Sequence, residues 1–358
     1  MYVKNFSAVG FRNLEISKQE LSQKINIIYG NNAQGKTNFL EAIYFCAVGR
    51  SLRARSDGEL IKWNEKNAYV RLEIERSGIF STLYAQLDMR GKKTVKSIQA
   101  DFIPIKHMKN LFGRVLVVMF SPEDLRLIKA GPAERRRFMD LEICQLSPVY
   151  YSDLREYYRA LKQRNALLKI LQKSRSGSDS LSVWDEQLVK YGKRIFKTRE
   201  KFVKKIGEIA GKIHKKITKG AEELTMIYKP GIEPENFAKI LENSHEKDIQ
   251  RGTTQEGTHT DDIEFTINGV SARHFGSQGQ QRTAALSAKL GEIEIIRQST
   301  NESPILLLDD VLSELDKHRQ KYLLQQIQNQ QTIITCTGTE ELKIENVQKF
   351  YMENGVMS

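Results

Sequence analysis

The sequence predicts an α/β fold built around a phosphate-binding loop, with an antiparallel β subdomain beside it and an all-helical arm inserted in the chain. Three observations carry that prediction. A glycine-rich loop lies between a strand and a helix near the start, and an apolar strand ending in two carboxylates lies near the end. Between them runs a long stretch of helical periodicity. At 358 residues the chain is long enough for two domains, or for one large domain with an appendage.

The loop is Gly30-Asn31-Asn32-Ala33-Gln34-Gly35-Lys36-Thr37, which fits G-x-x-x-x-G-K-[ST]. Ile25 to Tyr29 reads as a buried strand entering it, and Asn38 to Tyr44 as a helix leaving it. Gly30 and Gly35 let the backbone turn tightly around an anion, and the helix N-terminus adds its positive dipole end. Lys36 is placed to reach the β/γ-phosphates of a nucleotide, and the Thr37 hydroxyl to ligate Mg²⁺. A nucleoside triphosphate, ATP, is the expected ligand.

Hydrophobic residues make up 40% and charged residues 28% of the chain, a balance that suits a packed core in water. The longest apolar runs, such as Val115 to Phe120, are of strand length and too short to span a bilayer. The N-terminal stretch has no basic start, apolar middle and small-residue cleavage site, so a cytoplasmic protein is expected. Cys46, Cys144 and Cys336 lack metal-ligand or disulfide spacing and are expected to be reduced core thiols. The formal charge of +12 and a pI near 9.4 suggest a polyanionic partner, such as nucleic acid.

Met1 to Leu14 alternates as an edge-type strand ending in a turn that carries Arg12, and Gly49 to Arg55 is a short basic link. A meander follows: Ala68 to Glu75, a turn at Ser77-Gly78, Ile79 to Ala85, a turn at Arg90-Gly91-Lys92, and Thr94 to Ile98. Val115 to Phe120 is a strand buried on both faces, and Ser121-Pro122-Glu123-Asp124 caps a helix start. From Pro132 to about Lys219 the pattern is helical. Tyr150, Leu154, Tyr157, Leu161, Leu168 and Leu171 line one helix, with Arg164 in the one off-pattern place. A polar linker, Ser174 to Ser180, marks the tip, and a second helix returns with Trp184, Leu188, Ile195, Phe202 and Ile206. Residues 132–219 are therefore expected to form the arm, and residues 1–131 with 220–358 the head.

The second arm helix is basic along much of its length. Lys193, Arg194, Lys197, Lys201, Lys204 and Lys205 are the arm's candidates for DNA phosphate contact, joined by Lys92, Lys93 and Lys96 of the meander. Beyond the arm, Leu224 to Tyr228 and Ile263 to Ile267 read as strands, Pro234 to Leu241 as a helix and Gly252 to His259 as a loop.

The second half of the site is Ser303-Pro304-Ile305-Leu306-Leu307-Leu308-Asp309-Asp310. A buried parallel strand would deliver Asp309 beside the loop as a Mg²⁺ ligand, with Asp310 positioned to orient or deprotonate an attacking water. Ser277-Gln278-Gly279-Gln280, ahead of an amphipathic helix from Thr283 to Gln298, is a second anion-binding turn. Two such turns on one chain suggest ATP sandwiched between two copies, hence an ATP-dependent homodimer. Ser313-Glu314-Leu315-Asp316 follows the carboxylate pair, and Thr332 to Thr335 is a further strand behind it. Arg12, Ser277, Gly279, Gln280 and Asp316 complete the expected nucleotide-binding set.

This order of motifs resembles the ABC-type ATPase heads of the SMC class, and nearly end to end it resembles the RecF family of bacterial recombination mediators. The residues that carry the likeness include Phe11-Arg12-Asn13, Gly30 to Ala42, Gly49 to Arg53 and Phe120 to Leu125. They continue with Gly131 to Phe138, Ser277 to Arg282 and Leu308-Asp309-Asp310. The resemblance implies DNA binding at single-strand gaps and junctions, ATP-dependent dimerisation and slow hydrolysis. It also implies cooperation with RecR and RecO in loading RecA, with roles in repair, replication and SOS induction. The family usually has Gly-Pro-His-Arg-Asp-Asp where this chain has Gly257-Thr258-His259-Thr260-Asp261-Asp262, which weakens any phosphate role for that loop. ABC heads generally place a histidine near Cys336 or Thr337, and many have glutamate at Asp310; both departures point to slow, switch-like hydrolysis. Two other classes fit the loop alone: a small-molecule kinase, which needs neither Ser277 nor a basic arm, and an ABC transporter's ATPase subunit.

Overall fold

The structure, a computed structural model, describes residues 1–91, 93–174, 180–338 and 347–358. The chain divides into two compact units: Met1–Asp124 with Ile296–Ser358, and Leu125–Ile295. The strands and loops after residue 219, grouped with the head in the sequence reading, cluster with the helices as far as Ile295.

The first unit opens with β1 (Tyr2–Phe11), β2 (Leu14–Glu20), β3 (Ile25–Tyr29) and α1 (Lys36–Val48). The meander is β4 (Asn67–Arg76), β5 (Ile79–Arg90), β6 (Lys93–Ala100) and the short β7 (Ile103–Pro104). These strands form one antiparallel sheet in the order β2-β1-β4-β5-β6-β7. The expected N-terminal edge strand is therefore not at the edge, because β1 lies between β2 and β4. Sequence reasoning missed β2, whose second half, Ser17-Lys18-Gln19-Glu20, is entirely polar. One sheet face carries Phe6, Val70, Leu72 and Leu83 against α1, and Phe6 packs on Phe39 with ring centroids 4.1 Å apart. The other face is open. β8 (Val117–Phe120) is buried throughout, as expected for a strand covered on both faces, although it lies at the edge of its sheet. Ser121 leads into a 3-10 turn over Pro122–Leu125 instead of directly into an α-helix.

The second unit begins with α2 (Arg126–Lys129), α3 (Pro132–Leu146), α4 (Pro148–Ser174) and α5 (Leu181–Ile217). The last two form the antiparallel arm, and most of the expected tip linker, residues 175–179, lies outside the described residues. Arg164 is off-pattern because it is a buried hub. Its Nε donates to Asp185 at 2.6 Å, and its Nη1 to Asp248 at 2.6 Å and to the Thr254 hydroxyl at 2.9 Å. After β9 (Leu224–Lys229) come α6 (Phe237–Asn243) and α7 (His245–Arg251), the latter absent from the sequence reading. Then follow β10 (Asp262–Ile267), β11 (Val270–Ser271), α8 (Ala272–Phe275) and α9 (Gln278–Thr300). The three strands make a small antiparallel sheet in the order β11-β10-β9. α9 was expected to be amphipathic but is buried almost all round from Thr283 to Ile296, its polar residues paired internally, as Lys289 with Glu292 at 2.6 Å.

Arg199 is a second buried hub. Its guanidinium grips both oxygens of Asp140 at 2.8 and 3.0 Å and donates to Asp261 and to the Thr258 carbonyl, each at 2.6 Å. Arg135 forks onto Asp262 at 2.6 and 3.0 Å, and Arg136 donates to the Asp261 carbonyl at 2.7 Å. The acids of the Gly257–Asp262 stretch are thus spent on arginines of α3 and α5.

The first unit is completed by β12 (Ile305–Asp309), α10 (Lys317–Gln326), β13 (Thr332–Cys336), β14 (Val347–Glu353) and β15 (Val356–Met357). With β3 and β8 they form a second six-stranded sheet in the order β15-β14-β3-β13-β12-β8, parallel except at β15. α1 packs between the two sheets of this unit and is buried from Phe39 to Val48, which is why it is apolar on all sides. No helix among the described residues is long and apolar enough to cross a membrane. Cys46 and Cys144 are buried thiols, but Cys336 is half-exposed, with Asp310 and Lys36 close enough to act on its charge, and not in the apolar setting expected.

Candidate nucleotide-binding site

β3 runs into the loop and α1 leaves it with Lys36 as its first residue, the strand–loop–helix order that the spacing predicts. Gly30 and Gly35 sit at φ 149° and 115°. A Cβ on Gly30 would lie 2.4 Å from the Met352 carbonyl oxygen, and one on Gly35 would lie 2.8 Å from the Asn13 carboxamide. Only glycine fits either place. The loop is clamped at Gln34. Its carbonyl accepts from the Asn13 side chain at 3.1 Å and from the Gly355 amide at 2.8 Å, and its side-chain oxygen accepts from the Asn354 amide at 2.7 Å.

Lys36 is buried, and its ammonium donates to the carbonyls of Gly30 and Asn31, both at 2.8 Å. The charge is thereby held inside the loop's curl. The parallel register of β12 and β13 sets Asp309 beside Thr335. The Thr37 hydroxyl donates to Asp309 at 2.8 Å, and the Thr335 hydroxyl donates to the same oxygen at 2.9 Å. Thr335 also accepts from the Asp310 amide at 3.1 Å, so one hydroxyl ties both carboxylate residues to β13. Asp310 adopts left-handed backbone at φ 51°. Burial, helped by the adjoining Asp309 charge, raises its carboxyl above the ordinary aspartate value, with Lys36 acting in the opposite sense.

Hydroxyl and carboxylate oxygens meeting at the mouth of a phosphate loop are hard donors, suited to Mg²⁺ completed by phosphate oxygens and water. Among the described residues no cluster of three or more His, Cys, Asp and Glu could hold a metal by protein ligands alone.

Arg12 and Asp316 are engaged elsewhere. Arg12 forks onto Glu41 at 2.9 and 3.1 Å and donates to the Glu59 carbonyl at 2.9 Å, while the Ser51 hydroxyl donates to the same glutamate at 2.5 Å. Asp316 caps α10, accepting from the Arg319 amide at 2.9 Å, and this bond pulls its carboxyl below the ordinary aspartate value. In the second unit, Ser277 and Gln280 form a reciprocal capping box at the start of α9. The Ser277 amide donates to the Gln280 side chain at 2.9 Å, and the Gln280 amide to the Ser277 hydroxyl at 3.2 Å.

Lys193, Lys197, Lys201 and Lys204 are exposed along one stripe of α5. Lys205 is half-buried, and Arg194 pairs with Asp153 at 3.2 Å. Lys93 is exposed at the start of β6, and Lys92 lies outside the described residues. Lys96 is committed inside the unit, to Asp57 at 2.8 Å and the Gly49 carbonyl at 2.7 Å. Asn13 and Thr335 are site residues that sequence reasoning missed. The signal for Thr335 was a hydroxyl near the C-terminal end of the short Thr332–Cys336 strand.

A phosphate loop at the end of a parallel strand, a carboxylate pair at the end of the next strand but one, a flanking antiparallel sheet and a helical insertion together define an ABC-type ATPase head. The family model described as "RecF/RecN/SMC N terminal domain" matches residues 2–358. The chain is 48% identical over 342 residues to the "DNA replication and repair protein RecF" of Lachnoclostridium phytofermentans, covering 95% of this chain and 94% of the relative. It is 46% identical over 344 residues to the protein of the same description from Lachnospira eligens, with the same coverage of each chain. A solved structure described as "Structure of the recombination mediator protein RecF-ATP in RecFOR pathway" superposes with a TM-score of 0.92 at 36% identity, over 100% of this chain and 97% of that one. An Smc head from Pyrococcus furiosus shares the fold at a TM-score of 0.54 and 16% identity, over 100% of this chain and 95% of that one. The chain belongs to the RecF family.

Proposed function

We propose that the chain is an ATP-binding and DNA-binding protein of recombinational repair and replication, working as an ATP-dependent dimer switch. The observation that carries this reading is the junction of Thr37, Asp309 and Thr335 at the mouth of a fully formed phosphate loop. ATP would lie along Gly30–Thr37, with Lys36 against its β/γ-phosphates and Thr37 and Asp309 holding Mg²⁺. When bound, Mg²⁺ would neutralise charge developing on the phosphates. Asp310, whose amide is held by Thr335, is the group that orients or deprotonates the attacking water. Ser277 and Gly279 of a second copy would close the site. The exposed lysine stripe of α5 would meet the DNA backbone.

Relatives described as replication and repair proteins, and a neighbour described as a recombination mediator in the RecFOR pathway, support the wider role. In that role the chain binds gapped or junction DNA and helps RecR and RecO load RecA, supporting SOS induction. It remains in the cytoplasm. Sedimentation velocity with and without ATP tests the switch: wild type should dimerise only with ATP, and Lys36→Met and Ser277→Arg should stay monomeric. Either variant dimerising like wild type would overturn the reading. DNA affinity should fall by about one log unit per log unit of salt for each phosphate neutralised.

A further inference from the structure

The open face of the antiparallel sheet is not the polar surface that a solvated sheet face usually presents. Strand register places Ser7, Arg71, Tyr84 and Gln99 side by side across β1, β4, β5 and β6. Tyr69, two residues along β4 from Arg71, stacks with Tyr84, their ring centroids 5.7 Å apart and planes 27° from parallel. Phe102, 79% exposed at the turn beyond β6, borders the same hollow, which has a volume of about 340 Å³. Beside it the Arg71 Nε is buried and, among the described residues, without a hydrogen-bond partner, while its Nη2 pairs with Glu73 at 2.8 Å. The carboxylates of the next rows are occupied too: Glu73 accepts from Asn5 at 2.8 Å and Glu75 from the Tyr2 hydroxyl at 2.5 Å.

A buried donor left unmade costs free energy, and aromatic rings in water beside it add an apolar surface with nothing on it. The ligand that answers both is flat, aromatic and carries acceptors on its edge. That is a nucleobase. At about 340 Å³ the hollow has room for about one nucleotide. Antiparallel sheets that display aromatic side chains are a recurrent platform for unpaired bases. On a chain of formal charge +12, a strand whose phosphates track basic residues is the natural carrier of such a base.

We propose that this hollow takes an unstacked base of single-stranded DNA between Tyr69, Tyr84 and Phe102, with Arg71, Gln99 and Thr82, which all line it, reading its edge. The proposal rests on the DNA-binding reading above and adds a surface that selects unpaired strand over duplex. The test is fluorescence anisotropy with a labelled oligo-dT strand and a labelled duplex, on wild type and on Tyr69→Leu/Tyr84→Leu, which keeps the apolar bulk and removes the rings. Single-strand affinity should fall between about tenfold and a hundredfold, with duplex affinity and ATP-induced dimerisation unchanged. Single-strand affinity within twofold of wild type, or equal loss on strand and duplex, overturns the proposal. Photocrosslinking of wild type to a strand carrying 5-iododeoxyuridine needs no variant: adducts on Tyr69, Tyr84 or Phe102 uphold it, and adducts confined elsewhere sink it. Thymidine monophosphate competing as well as the strand would mark a free-nucleotide pocket and overturn the strand assignment. If wild type binds no DNA at all, it is the underlying reading that fails.

Discussion

Replacing Arg199 with Met keeps the apolar stem of the side chain and deletes the guanidinium that joins α5 to Asp140 and to the loop before β10. The fully buried Asp261 carboxylate would then keep, among the described residues, only the Tyr228 hydroxyl and the Gly231 amide as partners. The Thr258 carbonyl would lose the charged donor at 2.6 Å. Breaking a buried ion pair from one side costs about 3–5 kcal/mol, because the remaining charge cannot return to water. Against a typical domain stability of about 5–15 kcal/mol, that is about a fifth of the total or more. The chain has two tryptophans, Trp184 in α5 and Trp63, which is 92% exposed in the other unit. In a Trp63→Phe background, tryptophan emission during urea unfolding therefore reports the arm. Arg199→Met should lower the unfolding free energy by about 3–5 kcal/mol. Arg199→Lys should recover little, since a single ammonium cannot fork onto Asp140 while also reaching Asp261. Asp261→Asn in the Met background should cost less than it does alone, because the stranded charge is gone. A loss under about 1 kcal/mol, or a lysine variant as stable as wild type, would refute the network's role.

Two further outcomes concern the carboxylate pair. Since burial and Asp309 raise the Asp310 carboxyl in the folded chain, its contribution to stability is present below the ordinary aspartate value of about 3.9 and lost as pH rises through the raised one. Asp310→Asn escapes that loss and suits the left-handed backbone, so melting curves of variant and wild type should diverge in the variant's favour as pH rises; parallel curves would show no such strain. Thr335→Val keeps the shape and removes both bonds to the carboxylate residues. ATP hydrolysis should fall by about tenfold to a hundredfold with nucleotide affinity nearly unchanged, and Thr335→Ser should restore it, as a lost hydrogen bond to a charged group implies. A valine variant hydrolysing as wild type would remove Thr335 from the mechanism.

The nucleotide site was legible because its parts are short and local: Gly30 to Thr37 carries its own strand, turn and helix, and Ile305 to Asp310 its own strand and carboxylates. The clamps are not local. Asn13, Asn354 and Gly355 meet Gln34 only after β1, β3 and β14 have been folded together, and no spacing announces that. The same holds for charge. Along the arm sequence Arg199 reads like its lysine neighbours, yet partners from α3 and the Thr258–Asp261 stretch pull it into the interior. Arg12 and Lys96 read as free cations until Glu41, Asp57 and the Gly49 carbonyl are brought beside them. β2 and α7 were missed because their sequences are polar, and they hold their places through pairing with β1 and packing on α4.

The two pieces of the first unit are separated in the chain by the whole of the second. β3 and the phosphate loop are synthesised before the second unit, but their neighbours β13 and β14 only after the whole of it. At about 5–20 residues per second, some tens of seconds pass with both edges of β3 unpaired. The second unit, contiguous in sequence, closes on its own contacts in that interval. A chain interrupted before residue 332 would thus carry a folded arm and a loop sequence with no sheet to shape it. Nucleotide binding becomes a property that waits for β13 and β14.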